Sequence, residues 1–232
     1  MTGPATSRQA ARIGGWALIA AAVGFLAAFS YLATTFNYPD VLDGAAADVL
    51  PQLLALGSAG RAVWIGYALL PLLLVPAAIG AAAEWRATSP NVMRGALVCG
   101  VLAAVSMVLG LARWPTLHWE LAQAFGGAPP DTRGALEAVF NGANLYLGNF
   151  IGELLGEVFL NGFFLLSAVG LLRSGRKLPG VAGLVVAGIG LIAALRNVTA
   201  VVGPVAEANN LVLPIWLIVL GVMLVRGSVR RS

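Results

Sequence analysis

Four polar residues recur at intervals of four through an otherwise apolar tract: Asn149, Glu153, Glu157 and Asn161. On an α-helix this spacing stacks them into one slowly drifting ridge. An isolated ionised side chain in the middle of a bilayer costs about 2.5–3.5 kcal/mol on insertion scales. Two carboxylates one turn apart also repel each other when both are charged, so the pair demands a proton, a protein cation or a bound cation. Three kinds of chemistry answer that demand. The ridge can form a binding or transport pocket for a small molecule or ion, an intramembrane enzyme or metal site, or a structural lock between helices. Gly148, Gly152 and Gly156 repeat at the same interval. They form a second ridge roughly 100° around the helix, which lets a neighbouring helix approach closely.

The partners must come from elsewhere in the chain. Arg196-Asn197 lies inside the next apolar run. Consecutive antiparallel spans pack together. At 1.5 Å per residue Glu153 lies roughly 9 Å, and Glu157 roughly 15 Å, from the end at which their span enters, and Arg196 falls near the level of Glu153. Arg196 and Asn197 are therefore expected to meet Glu153 and Glu157, with Glu153 as the carboxylate paired to Arg196. Arg61 and Arg113 sit at helix ends on the same side, and His118 lies just beyond. The candidate binding set is Asn149, Glu153, Glu157, Asn161, Arg196, Asn197, Arg113 and Arg61. If a metal is held, its ligands are drawn from Glu153, Glu157 and His118; otherwise His118 reads as a surface histidine.

The elements that position these residues follow from composition. The chain has 232 residues, 59% of them hydrophobic and 10% charged, with a mean hydropathy of +0.87. A soluble domain carries about 25% charged residues. The deficit points to an all-α polytopic membrane protein, one domain from residue 1 to 232. At roughly 20 residues per span, six spans are expected: Ile13 to Phe36, Ala62 to Ala83, Val92 to Trp114, Leu147 to Leu172, Leu178 to Val202, and Leu211 to Val225. Asn37-Tyr38-Pro39-Asp40 ends the first span, since proline cannot continue a helix. The stretch from Asp40 to Gly60 reads as a short interfacial helix. Pro71 and Pro76 predict a kink or local break in the second span. Thr116 to Phe125 reads as a helix lying on the membrane surface, and Thr132 to Arg173 as one helix or two joined end to end. Gly203-Pro204 reads as the end of the fifth span, followed by a loop to Asn210.

Basic residues set the orientation. With both termini cytoplasmic, Arg8, Arg12, Arg86, Arg94, Arg173, Arg176, Lys177, Arg226, Arg230 and Arg231 fall inside. Arg61, Arg113, Arg133 and Arg196 fall outside or in the outer half of a span. The polar ridge then belongs to the outer half of the bundle. The first apolar run is too long for a signal-peptide core.

Other features exclude more than they assign. One cysteine, Cys99, and one histidine rule out the common cysteine- and histidine-rich metal sites. No nucleotide-binding loop, haem-ligating histidine pair or Ser/His/Asp set occurs, and Lys177, the only lysine, lies in a loop. The scattered charge of +4 reads as orientation and not as nucleic-acid binding. Trp85, Trp114, Trp119 and Trp216 suit interfacial belts. The expected partners are the lipid bilayer, a small-molecule or cationic ligand, and, less favoured than packing within one chain, a second copy through the glycine ridge. No cofactor is indicated.

Three short stretches carry a resemblance: Ser7-Arg8-Gln9-Ala10-Ala11-Arg12-Ile13-Gly14-Gly15, the tract from Leu147-Gly148 to Gly152-Glu153, and Lys177-Leu178-Pro179-Gly180. Together they resemble an uncharacterised bacterial integral-membrane family known only as a domain of unknown function. The resemblance implies a small multi-span protein of a bacterial inner membrane. It implies no activity and supplies no catalytic residues.

Overall fold

The computed structural model describes residues 4–229, so Arg230 and Arg231 of the basic tail lie outside the described residues. Those residues form helices and connections with no strand. Six helices are long and apolar enough to cross a membrane: α1 (Ala5–Phe36), α3 (Gly57–Trp85), α4 (Pro90–Phe125), α5 (Pro130–Arg173), α6 (Lys177–Asn197) and α7 (Ala200–Gly227). A shorter apolar helix, α2 (Ala46–Ala55), fills the connection after α1. Each of the six packs on the next, and α1 closes the ring by packing along α7. Large apolar side chains such as Val98, Val185 and Ile215 are exposed around the outside, as a lipid-facing surface requires.

Two cores fill the ring. Near one end, small and aliphatic residues (Ala77, Ala81, Ala96, Leu171, Leu220) pack around Phe163 and Phe164. At the other end the core is aromatic, with Phe36, Trp64, Trp114, Trp119 and Phe140 gathered under α2. Trp64 and Trp114 stack at 4.9 Å and Phe36 meets each edge-on, arrangements favoured by the ring quadrupole. The expected tryptophan belts are therefore not found: Trp85, Trp114, Trp119 and Trp216 are all buried. Trp216 illustrates the cause, since its ring lies where a Cβ on Gly183 would be.

Turn chemistry ends several helices where the sequence predicts. Asn37 takes a left-handed φ of 52° directly after α1, a conformation asparagine tolerates better than most. Gly175 takes φ 82° between α5 and α6, and the Arg176 N–H donates to the Leu171 carbonyl at 3.0 Å across that turn. Pro71 gives the expected local break, a 3₁₀ turn over Leu70–Leu73 inside α3.

Proline misleads at two other places. Pro115 does not end α4, which continues through a wide π-helical turn, Trp114–His118, into Trp119–Phe125. That last stretch is not an exposed helix. Trp119, Leu121, Ala122 and Phe125 are buried, and α2 packs over them. Pro204 begins a helix where the sequence suggested a loop, because a proline in the first helical turn withholds no hydrogen bond. The helix from Gly203 onward absorbs the expected loop to Asn210. The break falls earlier, at Val198-Thr199: Thr199 is extended and its hydroxyl accepts from the Val201 N–H, so α6 ends at Asn197 and not Val202.

A buried carboxylate cluster on a central cavity

The tract carrying the polar ridge is not plain α-helix. Residues Asn144–Leu155 form a π-helix within α5. Such i→i+5 bonding is rare, occurs mostly as single turns and is frequent at functional sites. The widened helix is held against α4 by its glycines. A Cβ on Gly152 would meet the Gly110 Cα at 2.7 Å, one on Gly148 would meet the Arg113 guanidinium, and one on Gly156 would meet Met107. Only the Gly152 contact is with backbone, so that close approach depends on glycine; at Gly148 and Gly156 the neighbours are the flexible side chains of Arg113 and Met107.

On the adjoining face, Glu153 and Glu157 converge on one guanidinium. Arg196 Nη2 lies 3.2 Å from Glu153 Oε2 and 2.7 Å from Glu157 Oε1. Asn197 Nδ2 donates to Glu153 Oε2 at 3.2 Å. The 3₁₀ turn Ala194–Asn197 at the end of α6 presents both donors together. Arg196 therefore bridges the two carboxylates, where the sequence suggested a pair with Glu153 alone. Glu157 is the closer and the more deeply buried of the two. Its second oxygen, Oε2, is buried with no hydrogen-bond partner among the described residues.

The cluster lines a cavity of about 670 Å³ at the centre of the ring. Glu153, Glu157, Asn149, Arg196, Asn197 and Arg113 form one wall. Phe25, Phe29, Leu70, Leu74, Leu213 and Leu217 form the opposite one. Tyr38 and Tyr67 complete a set of aromatic rings with Phe25 and Phe29, at centroid separations of 5.4–6.2 Å. Asp40 and Glu207 are exposed residues that also line the cavity. Volume and mixed lining match a small-molecule site, since such sites run from about 300 to 1,000 Å³.

Six of the eight residues expected to bind line this cavity; two do not. Asn161 donates to the Glu157 carbonyl at 2.8 Å and packs where a Cβ on Gly190 would be. It is part of the α5–α6 contact, one turn past the cavity. Arg61 donates to the Pro115 carbonyl at 3.0 Å, approaches Glu120 at 3.7 Å and lies over the Trp119 ring at 5.1 Å. It ties α3 to the end of α4. Arg113 lines the cavity and donates from Nε to Asn144 Oδ1 and from Nη1 to the Gly110 carbonyl.

His118 is not a surface residue. It is fully buried, edge-on to Trp114 at 4.8 Å and against Phe140 at 4.5 Å, because α4 runs on into the aromatic core. No group of three or more His, Cys, Asp or Glu residues suited to a metal occurs among the described residues. Asn209, Asn210 and Tyr38 also line the cavity and were missed in the sequence. Asn209 is 4% exposed. The asparagine pair directly before the apolar run at Leu211 was the available signal, hidden by reading Pro204 as a stop.

Comparisons with protein-family models, with curated proteins and with solved structures found no match.

Proposed function

We propose that this chain is a multi-pass protein of a bacterial inner membrane that binds or transports a small molecule or ion in its central cavity. The observation that carries the reading is one guanidinium shared by two carboxylates on the wall of a cavity of about 670 Å³. A lock between helices needs one pair in a packed interface. Here two carboxylates converge on one guanidinium and a cavity adjoins them. The positive-inside distribution supports cytoplasmic termini and places the cavity in the outer half of the bundle. The metal and enzyme alternative loses its third ligand, since His118 is enclosed by aromatic rings. A purely structural role for the Glu153–Glu157–Arg196 cluster is the competing reading.

Cysteine accessibility separates the two. In a Cys99→Ala background, cysteines at Asn149 and Asn209 are expected to react with a small membrane-impermeant thiol reagent added outside intact cells. A cysteine at Ala128 is expected to react as well, and one at Ser174 to stay unlabelled. If Ala128→Cys reacts while both cavity cysteines stay inert, the cluster is sealed and the structural reading replaces this one. Labelling at Ser174 and not at Ala128 reverses the orientation.

A further inference from the structure

The cavity's charge, its unfilled acceptor and its aromatic wall together define a ligand class; this step rests on the binding reading above. Four carboxylates line it (Asp40, Glu153, Glu157, Glu207) against two guanidiniums (Arg113, Arg196). Arg196 is shared by Glu153 and Glu157, while Arg113 donates to Asn144 and Gly110 and lies against the face of Trp114 at 5.2 Å. Carboxylates outnumber guanidiniums two to one in this lining, so an anionic ligand meets a net negative site. Glu157 lines the cavity and is 8% exposed, and its Oε2 has no hydrogen-bond partner among the described residues. A buried carboxylate with an acceptor left unpaired is costly, so a ligand that brings an N–H to this carboxylate gains there. A bare divalent ion fits poorly, because Arg196 occupies the space between the carboxylates. A body with apolar surface is accommodated by Leu70, Leu74, Leu213 and Leu217, and the faces of Phe25 and Phe29 favour a cation nearby. Asp40 and Glu207, both exposed, give the entrance a negative field that concentrates cations.

We propose that the cavity takes an amphipathic ammonium: a protonated amine that donates to the Glu157 carboxylate and lays its apolar or aromatic body along α1, α3 and α7. The donor requirement distinguishes an N–H-bearing ammonium from a quaternary one. The class covers amines arriving from the outer medium or from the outer leaflet.

The test uses the full chain in lipid nanodiscs and four probes of one shape: 4-phenylbutylamine, its trimethylammonium analogue, 4-phenylbutanol and 4-phenylbutyrate. Binding is read by calorimetry and by the shift in thermal unfolding. The amine is expected to bind at least tenfold more tightly than the alcohol and the quaternary analogue, with no measurable binding of the carboxylate. Glu157→Gln should reduce amine affinity at least tenfold and leave the alcohol unchanged. Leu213→Trp, which fills the cavity and leaves the charge cluster in place, should abolish binding of both. If the alcohol or the carboxylate binds best, the cavity binds ligands and the ammonium assignment is overturned. If the quaternary analogue binds as tightly as the amine, the donor to Glu157 is overturned. Unchanged amine binding by Leu213→Trp puts the amine outside the cavity and overturns the proposal. If no probe binds while cysteines at Asn149 and Asn209 are reactive, the ammonium class falls and the cavity reading stands. If those cysteines are inert as well, both fall.

Discussion

Two arginines bracket α6, and each meets buried acid. Arg176, just before the helix, lies 3.7 Å from Glu84 at the end of α3. Arg196, in its last turn, lies within 3.2 Å of both Glu153 and Glu157. Glu84 is buried as deeply as Glu157, at 5% against 8% exposed. Burial therefore does not separate the two sites. Stoichiometry and surroundings do. Arg176 meets one carboxylate among the described residues, Glu84, and both side chains press on the α7 backbone at Gly227, where an added Cβ would meet Glu84 Oε1 at 2.8 Å. That arrangement joins three helices. The Arg196 cluster is two-to-one, belongs to two helices, and opens on a cavity lined by residues from all six. The space beside Arg176 is about 300 Å³ and that beside Arg196 about 670 Å³, so the site that gathers two acids on one guanidinium is also the roomier one.

Breaking each arginine tests that distinction with the largest effect. Arg196→Ala leaves two buried carboxylates without their cation. Removing one partner of a buried pair costs about 3–5 kcal/mol, and the partial exposure of Glu153 and Arg196 places this loss near the lower end. Arg176 meets a single carboxylate among the described residues, and at 3.7 Å the contact is longer than a hydrogen bond, so Arg176→Ala is expected to lose about 1 kcal/mol. Thermal unfolding in detergent measures both. Equal losses would mean that the second carboxylate adds nothing to the demand on Arg196.

The glycines near the two arginines sharpen the contrast. A Cβ on Gly152 would meet the Gly110 Cα in α4 at 2.7 Å, and one on Gly180 would meet the Leu172 side chain at 2.6 Å and its backbone N at 3.1 Å. A leucine side chain can shift and a backbone at 3.1 Å need yield only slightly; a helix backbone at 2.7 Å must move. Gly152→Leu is expected to cost about 3 kcal/mol, at the upper end of overpacking penalties, and Gly180→Leu about 1 kcal/mol. The same unfolding assay ranks them. Equal stability of the two variants would mean that α4 yields to the intruding side chain.

The sequence and the structure agree where one local property suffices. Six spans are legible because hydropathy over about 20 residues needs no tertiary information. The approach of Arg196 and Asn197 to Glu153 is legible because two adjacent antiparallel helices put equal depths side by side. What failed depended on context. Proline reads as a stop from its missing N–H, yet Pro115 sits in a π turn and Pro204 in a first turn, where that N–H has no helical partner to lose. With α4 continuous, His118 and Trp119 move from surface to core. With α7 starting at Gly203, Asn209 becomes a buried wall residue. The π-helix at Asn144–Leu155 has no marker in residue type; it widens the turn and aims Asn149 and Glu153 into the cavity while Asn161, on ordinary helix, turns away. The sharing of Arg196 between two carboxylates was also not legible, because depth along a helix axis says nothing of how far a guanidinium reaches sideways.

The smallest expected effects come from the carboxylates taken singly, and they decide what the cluster is for. Glu153→Gln and Glu157→Gln each leave one carboxylate facing Arg196, as Glu84 faces Arg176. Each glutamine keeps an oxygen that can accept from the guanidinium. The loss of repulsion between the acids offsets the loss of one charged contact, so each variant is expected to change stability by less than about 1 kcal/mol. Glu157→Gln should lie nearer zero, because Glu153 also accepts from Asn197. The double variant strands Arg196 and is expected to lose about 3 kcal/mol. The coupling between the two sites, the double loss beyond the sum of the singles, is then about 1–3 kcal/mol. Chemical or thermal unfolding of all four proteins in one detergent gives the cycle. If each single variant loses as much as the double, the three side chains form one indivisible lock. Ligand binding would then have to be sought away from Glu157.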